Sequence, residues 1–305
     1  MSIQSDYPAV SGVLRHINIC PLSIKHFTNG YCHQVYLIEC TDAKYVLRIT
    51  DRGGVEYYKG SLHWLPAMSR LGIAVPQILQ SGEYEGHFFA LITYIEGKDL
   101  GDIYPALTSE EKRGLAESVA AIQKKVSSLS REDFYGYTVG PRFQSWKDVV
   151  KELLDRAKSR ISLNCVFSSD YIDAVSNKMA LFDAYFAKIQ PVAFLDDVTT
   201  KNVLIHDGRL SGIVDIDEIS YGDPLFAIGL THMALLYSGH DTEYIIAWMN
   251  ALELTEEQRE AERFYALLFC VDFMGEQGMA FNNGRHVEIE QEKVKRLTEI
   301  FYSLL

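Results

Sequence analysis

Carboxylate and amide side chains are concentrated in residues 191–224, between short apolar runs. Asp197 follows the first of these runs, and Asn202 comes five residues later. The next apolar run leads to Asp207-Gly208, which is typical of a tight hairpin turn, and the returning run ends at Asp215. Because a hairpin brings its two ends together, the sequence predicts that Asp197, Asn202 and Asp215 meet in one cleft.

Three oxygen-bearing side chains of this kind suit one type of chemistry. Hard oxygen ligands bind Mg²⁺ together with substrate phosphates, and a further carboxylate can accept the proton of an attacking hydroxyl. Protein kinases divide the work in this way, with one Asp as base and an Asn and a second Asp on the metal ions. A surface hairpin with solvated acids is the plain alternative, and the joint spacing of the three residues argues against it.

Three motifs resemble those of the aminoglycoside phosphotransferase and choline kinase family: Asp197 with Asn202, Ile-Val-Asp at 213–215, and Gly-Asp-Pro at 222–224. The resemblance implies an α+β, two-lobed protein-kinase-like fold, with a small antiparallel β-sheet N-lobe and a mostly helical C-lobe. It also implies that Asp197 is the catalytic base and that Asn202 and Asp215 are Mg²⁺ ligands. Asp223 would support the loop.

The stretch departs from the family pattern at three positions. Leu195 stands where the family usually has His, Asp196 where it has Gly, and Ile216 where an aromatic residue follows the metal-binding Asp. The missing His leaves open how the loop is hydrogen-bonded and whether activity is lowered. Asp196 could compete as the base, but the spacing of five residues to Asn202 selects Asp197.

The first part of the chain is rich in strand patterns, and we expect a nucleotide-binding lobe over residues 1–94. The turn signal Asn29-Gly30 could place the backbone N–H of Gly30 over phosphates, although such turns are usually only turns. Arg48 is the only cation of its predicted strand, where kinases carry a Lys that binds the nucleotide phosphates. Arg grips phosphate through two donors at once, so the replacement is chemically tolerable; a solvent-facing Arg is the alternative.

A helix is predicted over about residues 60–71 from the spacing of its apolar residues. The family places a Glu on this helix to hold the phosphate-binding cation, and the resemblance therefore implies Glu56, the only acid nearby, in that role. The last strand of this lobe runs into the family's hinge, where the backbone of Thr93, Tyr94 and Ile95 would meet the adenine edge. Backbone contacts leave little side-chain signature, and one more core strand would show the same pattern.

Residues 95–305 are predicted to form a helical lobe with the catalytic loop and the substrate pocket. Thr108 and Glu111 form a capping-box signature at the start of one helix. Asp272 and Glu276 lie four residues apart, hence on one helical face, inside an apolar run. In the family, acids on late helices bind amines of the substrate, so both are substrate candidates. A buried hydrogen-bonding role is the alternative.

The net charge of −12 is unevenly distributed. Residues 1–92 carry seven basic and seven acidic residues, whereas residues 93–305 carry 22 and 34. Nucleic-acid binding needs patches of Lys and Arg, so this balance argues against a nucleic-acid partner. A cationic ligand of the second part fits the acidity, and so does ordinary solubility.

The remaining features favour a cytoplasmic protein without a membrane segment. The five cysteines have no metal-ligand spacing and an odd count, which is typical of reduced thiols. The first ten residues lack a basic region followed by an apolar stretch, so we expect no signal peptide. No apolar run approaches the ~20 residues that cross a bilayer. The sequence leaves the oligomeric state open.

We therefore expect transfer of the γ-phosphoryl group of ATP or GTP, with Mg²⁺, to a hydroxyl of a small, cationic molecule. Aminoglycosides, amino alcohols and sugars all fit as acceptors. A catalytically silent nucleotide-binding relative is the alternative, motivated by Leu195 and Arg48. A protein kinase proper is disfavoured because the gap from Asp215 to Gly-Asp-Pro at 222–224 is too short for a peptide-docking loop.

Overall fold

The computed structural model of the chain describes residues 7–27, 33–280 and 287–305. The chain divides into two compact units. Unit 1 comprises residues 1–96 and 211–218, and unit 2 comprises residues 97–210 and 219–305. These units differ from the expected lobes 1–94 and 95–305 mainly in that residues 211–218 belong to unit 1.

Unit 1 contains, within its described residues, an antiparallel sheet with the strand order β1-β2-β3-β5-β4. The strand alternation decides which side chains face the core: in β2, Tyr36 and Ile38 are buried while their neighbours are more exposed. Arg48 lies within β3, opposite Val35 on one side and Ala90 on the other. The strands are β1 (Ser23–Phe27), β2 (Gln34–Glu39), β3 (Lys44–Thr50), β4 (Ile78–Tyr84) and β5 (His87–Thr93).

Helix α1 (Pro8–His16) covers one face of this sheet. Its buried residues Val10, Val13 and Leu14 pack with apolar side chains of β2, β3 and β5. They recur at helical spacing, and Pro8 occupies the first turn, where its missing N–H costs nothing. This helix was not predicted from the sequence, and it completes the apolar core of unit 1.

Helix α2 (Val55–Arg70) begins earlier than the predicted residue 60. A short 3₁₀ turn, Arg52–Gly54, leads directly into it, and the Asp51 carboxylate caps that turn by accepting a hydrogen bond from Gly53 N at 2.9 Å. A side chain of this kind satisfies a backbone donor that has no partner inside the helix. The earlier start places Glu56 in the first helical turn.

Unit 2 is mostly helical. The capping box predicted at Thr108 and Glu111 is confirmed, because each side chain accepts a hydrogen bond from the backbone N–H of the other residue. Helix α10 packs against α5 and α8 and forms much of the core. The helices are α3 (Leu100–Ile103), α4 (Ser109–Val126), α5 (Trp146–Asn164), α6 (Asp170–Met179), α7 (Asp183–Phe186), α8 (Leu225–Ser238), α9 (Glu243–Ala251), α10 (Glu256–Glu276) and α11 (Gln291–Leu304).

Short strands of unit 2 position the segment that carries the candidate chemistry. β12 pairs with β7 and β9, and β10 pairs with β6. The tight turn predicted at Asp207-Gly208 is confirmed, because both residues have the positive φ, 48° and 72°, that such turns need. The chain passes from unit 2 into unit 1 within the strand that follows. The strands are β6 (Lys98–Asp99), β7 (Tyr135–Tyr137), β8 (Arg142–Phe143), β9 (Val192–Phe194), β10 (Val203–His206), β11 (Arg209–Ile213) and β12 (Ser220–Gly222).

Each helix within the described ranges is too short or too polar to cross a membrane.

Candidate active site

The loop 195–202, which we call the Asp197 loop, follows β9. Side chains of α4 and of its C-terminal end hold the loop and the strand before it by hydrogen bonds. The buried Gln123 accepts a hydrogen bond from Leu195 N at 3.0 Å and donates one to Leu195 O at 2.7 Å. Leu195 stands where the family usually has His, so the loop backbone at this departure is fixed by a glutamine side chain. Ser127 adds a hydrogen bond to Ala193 O at 3.2 Å.

The Asp197 carboxylate is oriented by two neighbours in the same loop. Its Oδ1 accepts a hydrogen bond from Thr199 Oγ1 at 2.7 Å, and its Oδ2 lies 3.5 Å from Lys201 Nζ. Thr199 is buried, whereas the Asp197 side chain is 36% exposed. One oxygen is therefore fixed and the other lies beside a cation, in a position that solvent or a small molecule can reach.

Asn202 is buried and its amide has a defined orientation. Nδ2 donates to Asp197 O at 3.0 Å, and the backbone N–H donates to Thr199 O at 2.9 Å. Since the amide nitrogen must face that carbonyl, Oδ1 points the other way. Asn202 thus braces the Asp197 backbone and presents an oxygen of the kind that binds Mg²⁺.

In unit 1, the loop 213–217, which we call the Asp215 loop, follows β11. Ile213 N donates to Ala74 O at 2.9 Å. A Cβ atom at Gly212 would come within 2.6 Å of the Ile95 side chain, so the close approach there requires glycine. Asp215 has a φ of 61°, in the left-handed region that a non-glycine residue rarely adopts, and its side chain is 49% exposed. Backbone strain of this kind is concentrated at functional sites.

Arg48 is buried and is held by acids of the Asp215 loop. Its Nη2 lies 2.7 Å from the Asp217 carboxylate and 3.1 Å from Asp215 Oδ1. The Asp217 carboxylate also lies 2.9 Å from Nε2 of the buried His33. Burial by itself would raise the pKa of Asp217, but the charge of Arg48 and then the contact with His33 hold that pKa below its usual value.

The structure places Glu56, the acid expected to hold Arg48, beside Lys59, and its role stays a prediction. Glu56 lies on the exposed side of α2, and its carboxylate is 2.6 Å from Lys59 Nζ. The two residues are three apart on one helix, which is a favourable spacing for a surface ion pair. The Arg48 guanidinium is instead buried against Asp217, on a different element.

The three residues predicted for the hinge, Thr93, Tyr94 and Ile95, have different surroundings. Thr93 N donates to Gln77 O at 2.9 Å, so its N–H is already used in unit 1 and is not a donor for adenine. Tyr94 and Ile95 follow the end of β5, and Tyr94 lies under Lys44, whose Nζ is 5.5 Å from the ring centroid. Tyr94 and Ile95 therefore stay candidates for the adenine edge. Gly30, the expected phosphate-loop residue, lies outside the described residues.

Asp223 of the Gly-Asp-Pro motif is part of the buried core of unit 2. Its Oδ2 accepts hydrogen bonds from Tyr185 and Tyr265 at 2.7 and 2.8 Å, and Tyr265 in turn accepts one from Trp146. Gly222 cannot carry a side chain, because a Cβ would lie 2.1 Å from the Trp146 ring. Burial raises the pKa of Asp223, and its hydrogen bonds oppose that shift. The motif is thus built into the scaffold of the unit.

The two substrate candidates on α10 are in different situations. Asp272 is 5% exposed and accepts hydrogen bonds from Arg156 and Arg160 of α5, at 3.0 to 3.2 Å. This placement favours the alternative role of a buried link between two helices. Glu276 is 30% exposed and lies 3.8 Å from Arg160. Burial, and then the neighbouring Asp272, raise the pKa of Glu276 to about 7.

The oxygens of Asn202 and Asp215 fit Mg²⁺ by their chemistry. Mg²⁺ binds through one or two side-chain oxygens, with waters and substrate phosphates completing its shell. Over the described part of the chain, no group of three or more His, Cys, Asp and Glu side chains is arranged as a metal site.

Four further residues, which lie in these loops or hydrogen-bond to them, were not predicted from the sequence: Gln123, Thr199, Asp217 and His33. Asp217 and Thr199 lie next to motif residues and carried a local signal, since each is two residues from a motif aspartate. Gln123 and His33 had none, because Gln123 is 72 residues from Leu195 and His33 is 184 residues from Asp217.

Comparison with known proteins identifies the family of the chain. A sequence model described as the phosphotransferase enzyme family matches residues 23–265. The GDP complex of an aminoglycoside 2′-phosphotransferase-IIIa variant superposes with a TM-score of 0.72 at 14% identity, over 97% of this chain and 95% of that one.

Two further solved structures are similar in fold. A ternary complex of aminoglycoside phosphotransferase APH(4)-Ia with ADP and hygromycin B has a TM-score of 0.65 at 15% identity, over 97% of this chain and 99% of that one. A putative fructosamine-3-kinase from Haemophilus somnus 129PT has a TM-score of 0.64 at 14% identity, over 96% and 95%.

The fold prediction is confirmed: a sheet-rich first part and a helical second part define a protein-kinase-like phosphotransferase. The chain belongs to the phosphotransferase enzyme family, whose model spans most of its length, and it is a small-molecule kinase.

Proposed function

We propose that the chain transfers the γ-phosphoryl group of ATP or GTP to a hydroxyl group of a small, amine-bearing molecule. The Asp197 loop carries the proposal, because it presents an oriented and accessible carboxylate beside a fixed amide. The nucleotides in the structures of similar fold, ADP and GDP, support a nucleotide donor. A cytoplasmic location is part of the proposal and is supported by the free thiols of the cysteines in the described ranges.

Asp197 is the proposed base that accepts the proton of the acceptor hydroxyl. Thr199 holds one carboxylate oxygen by a hydrogen bond, so the carboxylate does not need to reorient at the moment of transfer. Phosphoryl transfer depends mostly on positioning and electrostatic stabilisation, and a pre-oriented base serves both. Lys201 lies beside the other oxygen and would keep a positive charge close to the incoming phosphate.

Asn202 and Asp215 are the proposed Mg²⁺ ligands, and Arg48 is the proposed partner of the nucleotide phosphates. The ion, when bound, neutralises charge on the phosphate oxygens. Asp215 suits this role because it is exposed, and Asn202 because its amide orientation is fixed. Tyr94 and Ile95 are the proposed backbone contacts of the adenine ring.

The acceptor class follows from charge and from the proteins of similar fold. Residues 93–305 carry the whole excess of acidic side chains, which favours approach of a cation. Hygromycin B is bound by one protein of similar fold, and fructosamine is named as the substrate of another. Glu276 is the proposed amine contact, because Asp272 is already engaged by two arginines.

The test is a turnover screen with ATP and with GTP over four acceptor sets: aminoglycosides, amino alcohols, amino sugars, and sugars without an amine. ADP or GDP release is measured, and the phosphorylated product is identified by mass. We expect Mg²⁺-dependent turnover with at least one amine-bearing set. Tight nucleotide binding without turnover of any acceptor would favour the silent relative instead, and turnover confined to sugars without an amine would overturn the acceptor class.

A further inference from the structure

The phosphate-binding cation of a kinase must be held in place, and in protein kinases a Glu of the helix after the third strand holds it. In this chain the corresponding helix is α2, and its acid Glu56 is exposed and paired with Lys59. Arg48 is nevertheless 7% exposed and ordered by contacts within unit 1. Its position must therefore be set by groups on another element.

Asp217 meets the geometric requirement. Its carboxylate lies 2.7 Å from Arg48 Nη2 and 2.9 Å from His33 Nε2, and all three residues are buried. A buried carboxylate is costly unless it is paired and hydrogen-bonded, so this position is strongly defined by its two partners. The three side chains come from the start of β2, from β3 and from the Asp215 loop.

Asp215 is a poorer candidate for this role, although it also contacts Arg48. Its contact is longer, at 3.1 Å, and its side chain is 49% exposed against 11% for Asp217. An exposed carboxylate on a strained backbone is suited to leave Arg48 and bind a cation, whereas the buried Asp217 can keep its contact. Of the two acids in this loop, Asp215 is thus suited to bind a cation and Asp217 to hold Arg48.

We propose that Asp217 is the positioning residue of Arg48, with His33 fixing the Asp217 carboxylate, and that this pair replaces the helix acid of protein kinases. The proposal rests on the proposed function, since it assigns Arg48 to the nucleotide phosphates. In this proposal, the Asp215 loop carries one of the proposed metal ligands, Asp215, and also holds Arg48, the phosphate-binding cation. Removal of the carboxylate then lowers nucleotide affinity through Arg48 and leaves the acceptor site unchanged.

The test measures the Kd of ADP and of GDP by calorimetry, with and without Mg²⁺, together with the KM of nucleotide and acceptor. Asp217→Asn is expected to weaken nucleotide binding about 10-fold, since charged hydrogen bonds of this type are among the stronger ones. Asp217→Glu keeps the charge and should recover part of the affinity. Glu56→Gln should bind as the wild type does, and the acceptor KM should stay unchanged in all three variants.

A double-mutant cycle separates positioning from mere structural support. If Asp217 acts through Arg48, Asp217→Asn should cause no further loss of nucleotide affinity in an Arg48→Met background. Thermal unfolding of each variant identifies any that does not fold. If Asp217→Asn is among them, Asp217→Glu and the remaining variants of the cycle decide whether Asp217 positions Arg48. Equal losses in both backgrounds, or weakened binding in Glu56→Gln with normal binding in Asp217→Asn, would overturn the inference alone. A wild-type chain that binds neither nucleotide overturns the proposed function as well.

Discussion

The Asp197 loop and the Asp215 loop are held by different kinds of contacts. The Asp197 loop depends on neutral groups: Gln123 holds the Leu195 backbone, and Asn202 holds the Asp197 carbonyl. The Asp215 loop depends on charge, with Arg48 against two carboxylates. Neutral hydrogen bonds contribute modestly and tolerate salt, whereas a buried charge is costly once its partner is lost.

This difference indicates a division between geometry and electrostatics. The base must keep its orientation whether or not a charged ligand is present, and neutral contacts provide that. The groups near the phosphates must balance the negative charges of a nucleotide, and charged side chains provide that.

The largest effect is expected for Asp197. Asp197→Asn removes the proposed base but keeps the size of the side chain, and kcat should fall by ~10³-fold. Nucleotide affinity and thermal stability should stay close to those of the wild type. The matched control is Asp196→Asn, which removes the neighbouring carboxylate and should change kcat by less than about 5-fold. If Asp196→Asn were the more damaging change, the assignment of the base would move to Asp196.

Asp215→Asn should be next, with Mg²⁺-dependent turnover reduced by ~10²-fold or more, because a charged metal ligand is lost. Stability should fall only slightly, since the residue is half-exposed, Arg48 keeps its contact with Asp217, and Asn tolerates the left-handed φ of 61° about as well as Asp does. Steady-state rates over a Mg²⁺ titration, with thermal unfolding in parallel, measure both. A variant whose rate and Mg²⁺ dependence match the wild type would remove Asp215 from the metal site.

Gln123→Ala tests the neutral side of the comparison. Two buried hydrogen bonds to Leu195 are lost, which should cost about 2 kcal/mol of unfolding free energy, and kcat should fall with nucleotide affinity retained. The effect should persist at high salt, because no charge is involved. Glu117→Ala, an exposed change on the same helix, is the control and should shift stability by less than about 0.5 kcal/mol. A salt-sensitive loss in Gln123→Ala would contradict the comparison.

The smallest effect is expected for Glu276, which lies outside both loops. Its pKa is raised from 4.5 to about 7, so between these values the folded chain binds more protons than the unfolded chain does. Its contribution to stability is therefore fully present below about pH 4.5 and is lost as the pH rises through about 7.

Glu276→Gln should accordingly reduce the fall in Tm between pH 5 and pH 8, as measured by thermal unfolding at both pH values. Glu260→Gln, an exposed change on the same helix, is the matched control and should leave that fall unchanged. An unaltered pH dependence in Glu276→Gln would mean that this carboxyl titrates normally.

The motifs, the helix cap and the turn could be predicted from the sequence because the residues of each are close together in the chain. The spacing of Asp197 and Asn202, the capping box at Thr108 and the turn Asp207-Gly208 are each contained in a few residues. The fold class followed from the resemblance of the Asp197, Asp215 and Gly-Asp-Pro motifs to the family. The amphipathic pattern of α1 was also local but short, and it was not recognised.

The partners of the charged residues were not readable, because they are distant in sequence. Arg48 contacts Asp217, which is 169 positions away in sequence. Glu56 is close to its strand in sequence, and that residue was therefore expected as its partner. Asp272 was a substrate candidate with a buried hydrogen-bonding role as the alternative, and Arg156, 116 positions away, hydrogen-bonds to it. Periodicity places a side chain on a face of its element, and only the tertiary fold decides what that face meets.

The return of residues 211–218 to unit 1 has a consequence for how the chain is made. During synthesis, the part up to residue 96 emerges first, but Ala74 O then lacks the N–H of Ile213, and Arg48 lacks both carboxylates. The first unit therefore stays unfinished until the ribosome has passed residue 218, and a fragment cut at residue 96 would lack the two carboxylates that contact Arg48. For this reason, unit 1 should be expressed on its own with residues 211–218 joined to residues 1–96, and not as a fragment cut at residue 96.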